Sequence, residues 1–161
     1  MKSFVVFLLG ILVGVMGVGA LLYMSASGLM VNEQVSPVSV KETVARITKI
    51  AEADGWKVLG IRKLHESIQK HTGEVVRPVH LVDLCEPHHA KRILEADDTR
   101  TVSVFMPCTI SVYEKSDGKA YVCSTNARLL GRLFGGTVAE VMGGAVADSQ
   151  EKFVESIHKA D

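Results

Sequence analysis

The residues from Phe4 to Tyr23 carry no charged side chain, and at 1.5 Å rise per residue they match the hydrocarbon thickness of a bilayer. This stretch predicts a single transmembrane helix in contact with membrane lipid. Residues 1–27 then form an anchor, and residues 28–161 form one domain of ordinary size. A secretory signal usually has a shorter apolar run of roughly 7–15 residues, although Ser25-Ala26-Ser27 resembles a cleavage site and leaves removal of the segment open. Lys2 is the only basic residue before Lys41, so the positive flank stays cytoplasmic and the domain faces the periplasm from the inner membrane. Gly10, Gly14 and Gly17 recur at i, i+4 and i+7. The stripe either admits a second transmembrane helix or reflects the general frequency of glycine in such helices.

Eighteen basic and eighteen acidic residues cancel, and no basic stripe alternates with aromatic residues, which argues against nucleic acid as a partner. The three cysteines, Cys85, Cys108 and Cys123, are an odd number, so in an oxidising compartment at least one stays outside any internal pair.

Gly28 to Val35 reads as a strand closed by Ser36-Pro37. Ser39 and Glu42 form a capping box, and Val40, Val44, Ile47 and Ala51 recur at helical spacing up to Asp54-Gly55. Trp56 to Ile61 and Val75 to Cys85 read as further strands, with Arg62 to Glu74 either loop or short helix. Pro87 opens a second helix with Ala90, Ile93 and Leu94 on its buried side. Val102 to Lys115 and Ala120 to Ser124 form a hairpin around Asp117-Gly118. A two-residue turn there sets Val112 opposite Cys123 and puts Cys108, Ile110, Val112 and Cys123 on one apolar face. Thr137 and Glu140 start a last helix with Val138, Val141, Met142, Ala145 and Val146 inward. Its Gly135, Ala139, Gly143 and Ala147 leave a bare face for something flat or for another backbone. The order predicts an α+β two-layer sandwich, a mainly antiparallel sheet covered by helices.

The segment from Gly28 to Gly55, then CEPHHAKRILEADD, then MPCTISVYEKSDGKAYVCS with its Pro-Cys strand and glycine hairpin, resembles the bacterial domain-of-unknown-function family 302. The resemblance covers nearly all of the part outside the anchor. It implies a small α+β domain paired as a homodimer, and it brings no agreed catalytic residues.

Two constellations can carry chemistry. Cys85 ends a strand just before the helix start Glu86-Pro87-His88-His89, where the positive end of a helix favours thiolate and neutral imidazole. Met106-Pro107-Cys108 is the second, because proline interrupts a ladder and can leave the neighbouring thiol and thioether facing a cavity. With Met142 from the last helix, Cys85, Met106 and Cys108 form a candidate cofactor-binding set, and His88, His89, Cys85 and Cys108 a candidate metal set. Soft sulfur and imidazole suit copper, zinc or haem iron. The plainer alternative is core packing for the sulfur residues and solvent exposure for the histidines.

The chain has no Cys-x-x-Cys, no phosphate-binding glycine loop and no readable Ser-His-Asp order. Cys108 and Cys123 lie roughly 13 Å apart along the hairpin at strand rise, too far for a disulfide, which leaves Cys85 with Cys108 open. His65, His71, His80 and His158 have no metal spacing. The resulting expectation is a membrane-anchored, periplasm-facing ligand-binding or electron-transfer module, not a hydrolytic enzyme. It would hold non-covalent haem or copper between the Cys85–His89 turn, the Met106–Cys108 strand and the bare helix face. A thiol or persulfide redox protein and an accessory subunit of a membrane complex are the alternatives.

Overall fold

The computed structural model describes residues 10–20 and 28–158. Residues 1–30 and 31–161 form two separate compact units. In the first, residues 10–20 are helical and exposed, with nothing within 4 Å of the position a Cβ would take on Gly10, Gly14 or Gly17. Among the described residues no helix is long and apolar enough to cross a membrane, and much of the expected span, residues 4–9 and 21–23, lies outside them.

The second unit is the expected α+β fold. Its elements are β1 (Val31–Val35), α1 (Val40–Ala53), β2 (Lys57–Lys63), α2 (Leu64–Thr72), β3 (Val79–Cys85) and α3 (Pro87–Leu94). A 3-10 segment (Arg100–Phe105) leads to β4 (Cys108–Glu114), β5 (Ala120–Thr125), α4 (Ala127–Phe134) and α5 (Gly136–Glu140), followed by a π-helical turn (Val141–Val146) and α6 (Ala147–Ser156). The strands form one antiparallel sheet in the order β1-β5-β4-β3-β2. Alternate residues Val82 and Leu84, Ile110 and Val112, and Ala120 and Val122 are buried, as a half-covered sheet requires. Ile47 of α1 and Phe153 of α6, both fully buried, belong to the same core. Ser39 caps α1 by accepting from the Glu42 N–H at 3.3 Å.

Several expectations are corrected. β1 starts at Val31, because residues 28–30 are helical, and β3 starts at Val79, because Pro78 before it has no N–H for the ladder. Residues 102–105 are not strand. The Thr99 hydroxyl donates to the carbonyls of Ile93 and Ala96, and Arg100 Nε donates to that of Leu94. These bonds cap α3 and carry the chain into a 3-10 turn with Val102 buried and Val104 77% exposed.

The hairpin closes one residue away from the expected register. Lys115 N–H donates to Lys119 O and Gly118 N–H to Lys115 O, so the loop has three residues, with Gly118 at φ +73°. Ser111 therefore lies opposite Cys123, and Val112 opposite Val122. A one-residue slip reverses every side chain of the strand, so Cys123 stands on the face opposite Ile110 and Val112. The last helix begins at Gly136 with Gly135, φ +70°, at its N-cap and no side-chain cap from Thr137. Helix α4, which sequence periodicity left unassigned, is capped by Asn126 Oδ1 accepting from Leu129 N–H.

On the far face of the sheet, Asp83 is 7% exposed and accepts from Arg62 Nε (2.6 Å) and Nη2 (2.8 Å) and from Thr109 Oγ1 (2.7 Å). The guanidinium hydrogen bonds hold this carboxyl below the usual carboxylate range against the opposing effect of burial. A carboxyl with a depressed folded-state pKa stabilises above its unfolded value, and that stability is lost as pH falls through the folded one. Asp83→Asn is expected to cost about 1–2 kcal/mol at neutral pH, limited by the solvent around the guanidinium, and to cost progressively less below about pH 4. Urea midpoints of both proteins at pH 7 and pH 3 check it. An equal deficit at both would contradict the assigned ionisation.

Candidate functional site

Four stretches of chain meet at one end of the sheet. Cys85 is the last residue of β3, and Cys108 is the first of β4, with Leu84 across from it in the ladder. Met106 follows the 3-10 segment, with a cis peptide bond to Pro107. Met142, 3% exposed, projects from the π-helical turn, a local widening that recurs at functional sites. Cys85, His89, Met106, Cys108 and Met142, together with Trp56, border a single cavity of about 20 Å³ between apolar walls formed by Ile93 and Val146. Five of the six residues proposed from sequence are thus brought together. His88, the sixth, is exposed on α3 and does not border the cavity.

Glu86 and Trp56 complete the surroundings. Glu86 is the N-cap of α3, and its carboxylate accepts from His89 N–H at 2.6 Å and lies 3.4 Å from His89 Nδ1. Burial works against this carboxylate, yet the N–H groups of His89 and His88 hold it below its ordinary pKa. Trp56 is buried and meets His89 edge-on at 6.3 Å and Phe153 at 5.5 Å.

This arrangement corrects the expectation that the helix start favours a Cys85 thiolate. The Glu86 carboxylate takes that position, and burial followed by the Glu86 charge pushes the Cys85 thiol up. Burial, with Cys85 as its neighbour, pushes Cys108 to about 11. All three cysteines are free thiols, and Cys123 stands on the sheet face opposite Cys108 and does not border the cavity. Among the described residues no three His, Cys, Asp or Glu side chains are grouped to hold a metal ion, so any metal here would need the thioethers as ligands.

The bare face of the last helix is also accounted for. A Cβ on Gly131 of α4 would stand 2.6 Å from Gly143 Cα and 3.2 Å from Ala139 Cα, so a second backbone fills that space. The cavity volume admits about one water-sized occupant, against the roughly 300–1,000 Å³ of sites that enclose organic ligands. The slot expected for a flat ligand such as haem is closed in this conformation.

A family model described as "Domain of unknown function DUF302" matches residues 32–157, which is most of the chain and all of the sheet but its first residue. The chain belongs to the DUF302 family. The fold agrees. A crystal structure described as an uncharacterized conserved protein DUF302 from Bacillus stearothermophilus superposes with a TM-score of 0.70 at 17% identity, covering 80% of this chain and 98% of that one. No curated protein matches the sequence. The cavity lined by Cys85, Cys108, Met106 and Met142 accordingly lies wholly inside the DUF302 domain.

Proposed function

We propose that this DUF302 domain is a binding module for a soft monovalent metal ion of the Cu(I) class, tethered to the inner membrane by residues 4–23 and facing the periplasm. The observation that carries the reading is that Cys85, Cys108, Met106 and Met142 all border one cavity with room for a single small occupant. Thiolate and thioether are the ligands that select Cu(I) over harder ions, and Ile93, Val146 and Trp56 would keep water from a bound ion. Cys85 and Cys108 would bind as thiolates, and Met106 and Met142 as neutral sulfur ligands. The uncharged run from Phe4 to Tyr23, with Lys2 as its only nearby cation, supports the tether and its orientation.

Anaerobic competition against a chromophoric Cu(I) chelator tests the metal. One equivalent is expected to bind and to quench the fluorescence of Trp56, the only tryptophan in the chain. Cys85→Ser/Cys108→Ser should lose at least about 100-fold in affinity while Cys123→Ser keeps it. Failure to compete with the chelator, or equal affinity in the double variant, would remove the reading. The tether is tested separately, since full-length chain should sediment with membranes and resist protease added from the cytoplasmic side.

A further inference from the structure

A groove of about 520 Å³ bordered by charged side chains lies far along the sheet from the sulfur cluster, where the start of α1 meets α2 and the β4–β5 turn. Its volume is within the range of sites for small organic molecules. Lys41 and Lys119 border it, and Glu114 is the one carboxylate there, so the rim is net positive before either imidazole is counted. His65 and His80, also on its wall, stack at 5.2 Å with planes 13° apart.

The two rings are held differently. His65 Nδ1 lies 3.2 Å from Val79 N and 3.1 Å from Val79 O, which fixes that ring against β3. His80 Nδ1 is buried and has no hydrogen-bond partner among the described residues. A buried polar atom left without a partner is costly, and native structures retain few of them unless a ligand, ion or water completes the site. Val40 and Lys41, in the first turn of the 14-residue α1, add N–H groups with no carbonyl behind them in the helix.

We propose that this groove is a second ligand site, which takes a small organic molecule carrying a phosphate group. The phosphate would sit between Lys41, Lys119 and the first N–H groups of α1. Two point charges and a helix start suit a dianion better than a single carboxylate. The remaining volume, well beyond that of inorganic phosphate, would hold the organic part beside the histidine pair, with Glu114 accepting from its hydroxyl groups.

Amide NMR shifts at constant ionic strength test it, with ribose 5-phosphate, inorganic phosphate and ribose as probes. Saturable shifts at Val40, Lys41, His80 and Lys119 are expected with the ester, weaker ones with inorganic phosphate and none with ribose. Lys41→Ala/Lys119→Ala should weaken ester binding at least tenfold, whereas Cys85→Ser/Cys108→Ser should leave it unchanged, which separates this site from the metal. Absence of saturation by about 10 mM ester, or undiminished binding by the lysine variant, overturns the proposal. Equal affinity for ester and inorganic phosphate overturns its organic part.

Discussion

Gly131→Ala is expected to destabilise the DUF302 domain by about 3 kcal/mol, seen as a lower urea midpoint at unchanged slope. The added Cβ would meet the Cα and N of Gly143 at 2.6 Å, closer than real Cβ atoms come to backbone. Backbone cannot rotate aside as a side-chain tip can, so α4 and the π-helical turn must separate. The gain of up to about 1 kcal/mol in helix propensity from replacing glycine offsets only part of that cost. The reverse substitution gives the control. A Cβ on Gly143 meets Gly131 Cα at 3.4 Å, near ordinary contact, and one on Gly144 meets nothing within 4 Å. Gly143→Ala should therefore fall within about 1 kcal/mol of the parent, and Gly144→Ala should be neutral or stabilising. Met142 precedes Gly143 on the displaced segment, so Gly131→Ala should also weaken Cu(I) binding even where the protein remains folded. A neutral Gly131→Ala would show that the two helices do not pack at this distance.

The same pair of glycines shows what periodicity conveys and where it stops. A small-residue face on the last helix was legible as room for a backbone or a flat molecule, but only the position of α4 decides between them. Alternation identified the strands because one face of the sheet is buried. It failed at residues 102–105, where the apolar alternation of Val102 and Val104 is overridden by Thr99 and Arg100 capping α3. The hairpin was legible in Asp117-Gly118, yet loop length was not, and the single extra residue moved Cys123 to the other face. In the site, soft donors beside a strand end and a Pro-Cys step marked the right neighbourhood, while their convergence depends on tertiary packing. The choice between the adjacent histidines was within reach of sequence, since His89 shares a face with Ile93 four residues on and His88 does not. The role of Glu86 was also within reach, as an acidic residue just before a helix-opening proline is an N-cap. The π-helical turn that presents Met142 has no signal in the spacing of Val141, Met142 and Val146.

Between pH 7 and pH 9, apparent Cu(I) affinity is expected to rise by up to about 10,000-fold if the proposed thiolate site is right. Burial raises both site thiols, Cys108 to about 11 and Cys85 above its ordinary value, so both carry a proton at pH 7 and Cys108 keeps it throughout the interval. A metal ion that binds them as thiolates expels two protons, and each proton released adds one unit of log K per pH unit. Cys85→Ser and Cys108→Ser should each halve the slope, to about 100-fold over the same interval, while Cys123→Ser keeps the full dependence because Cys123 does not border the cavity. The measurement is chelator competition at several pH values, corrected for protonation of the chelator itself. A flat profile in the parent protein would mean that neither thiol ligates. A slope of one that disappears in a single variant would reduce the site to one thiolate, with the thioethers of Met106 and Met142 as the remaining ligands.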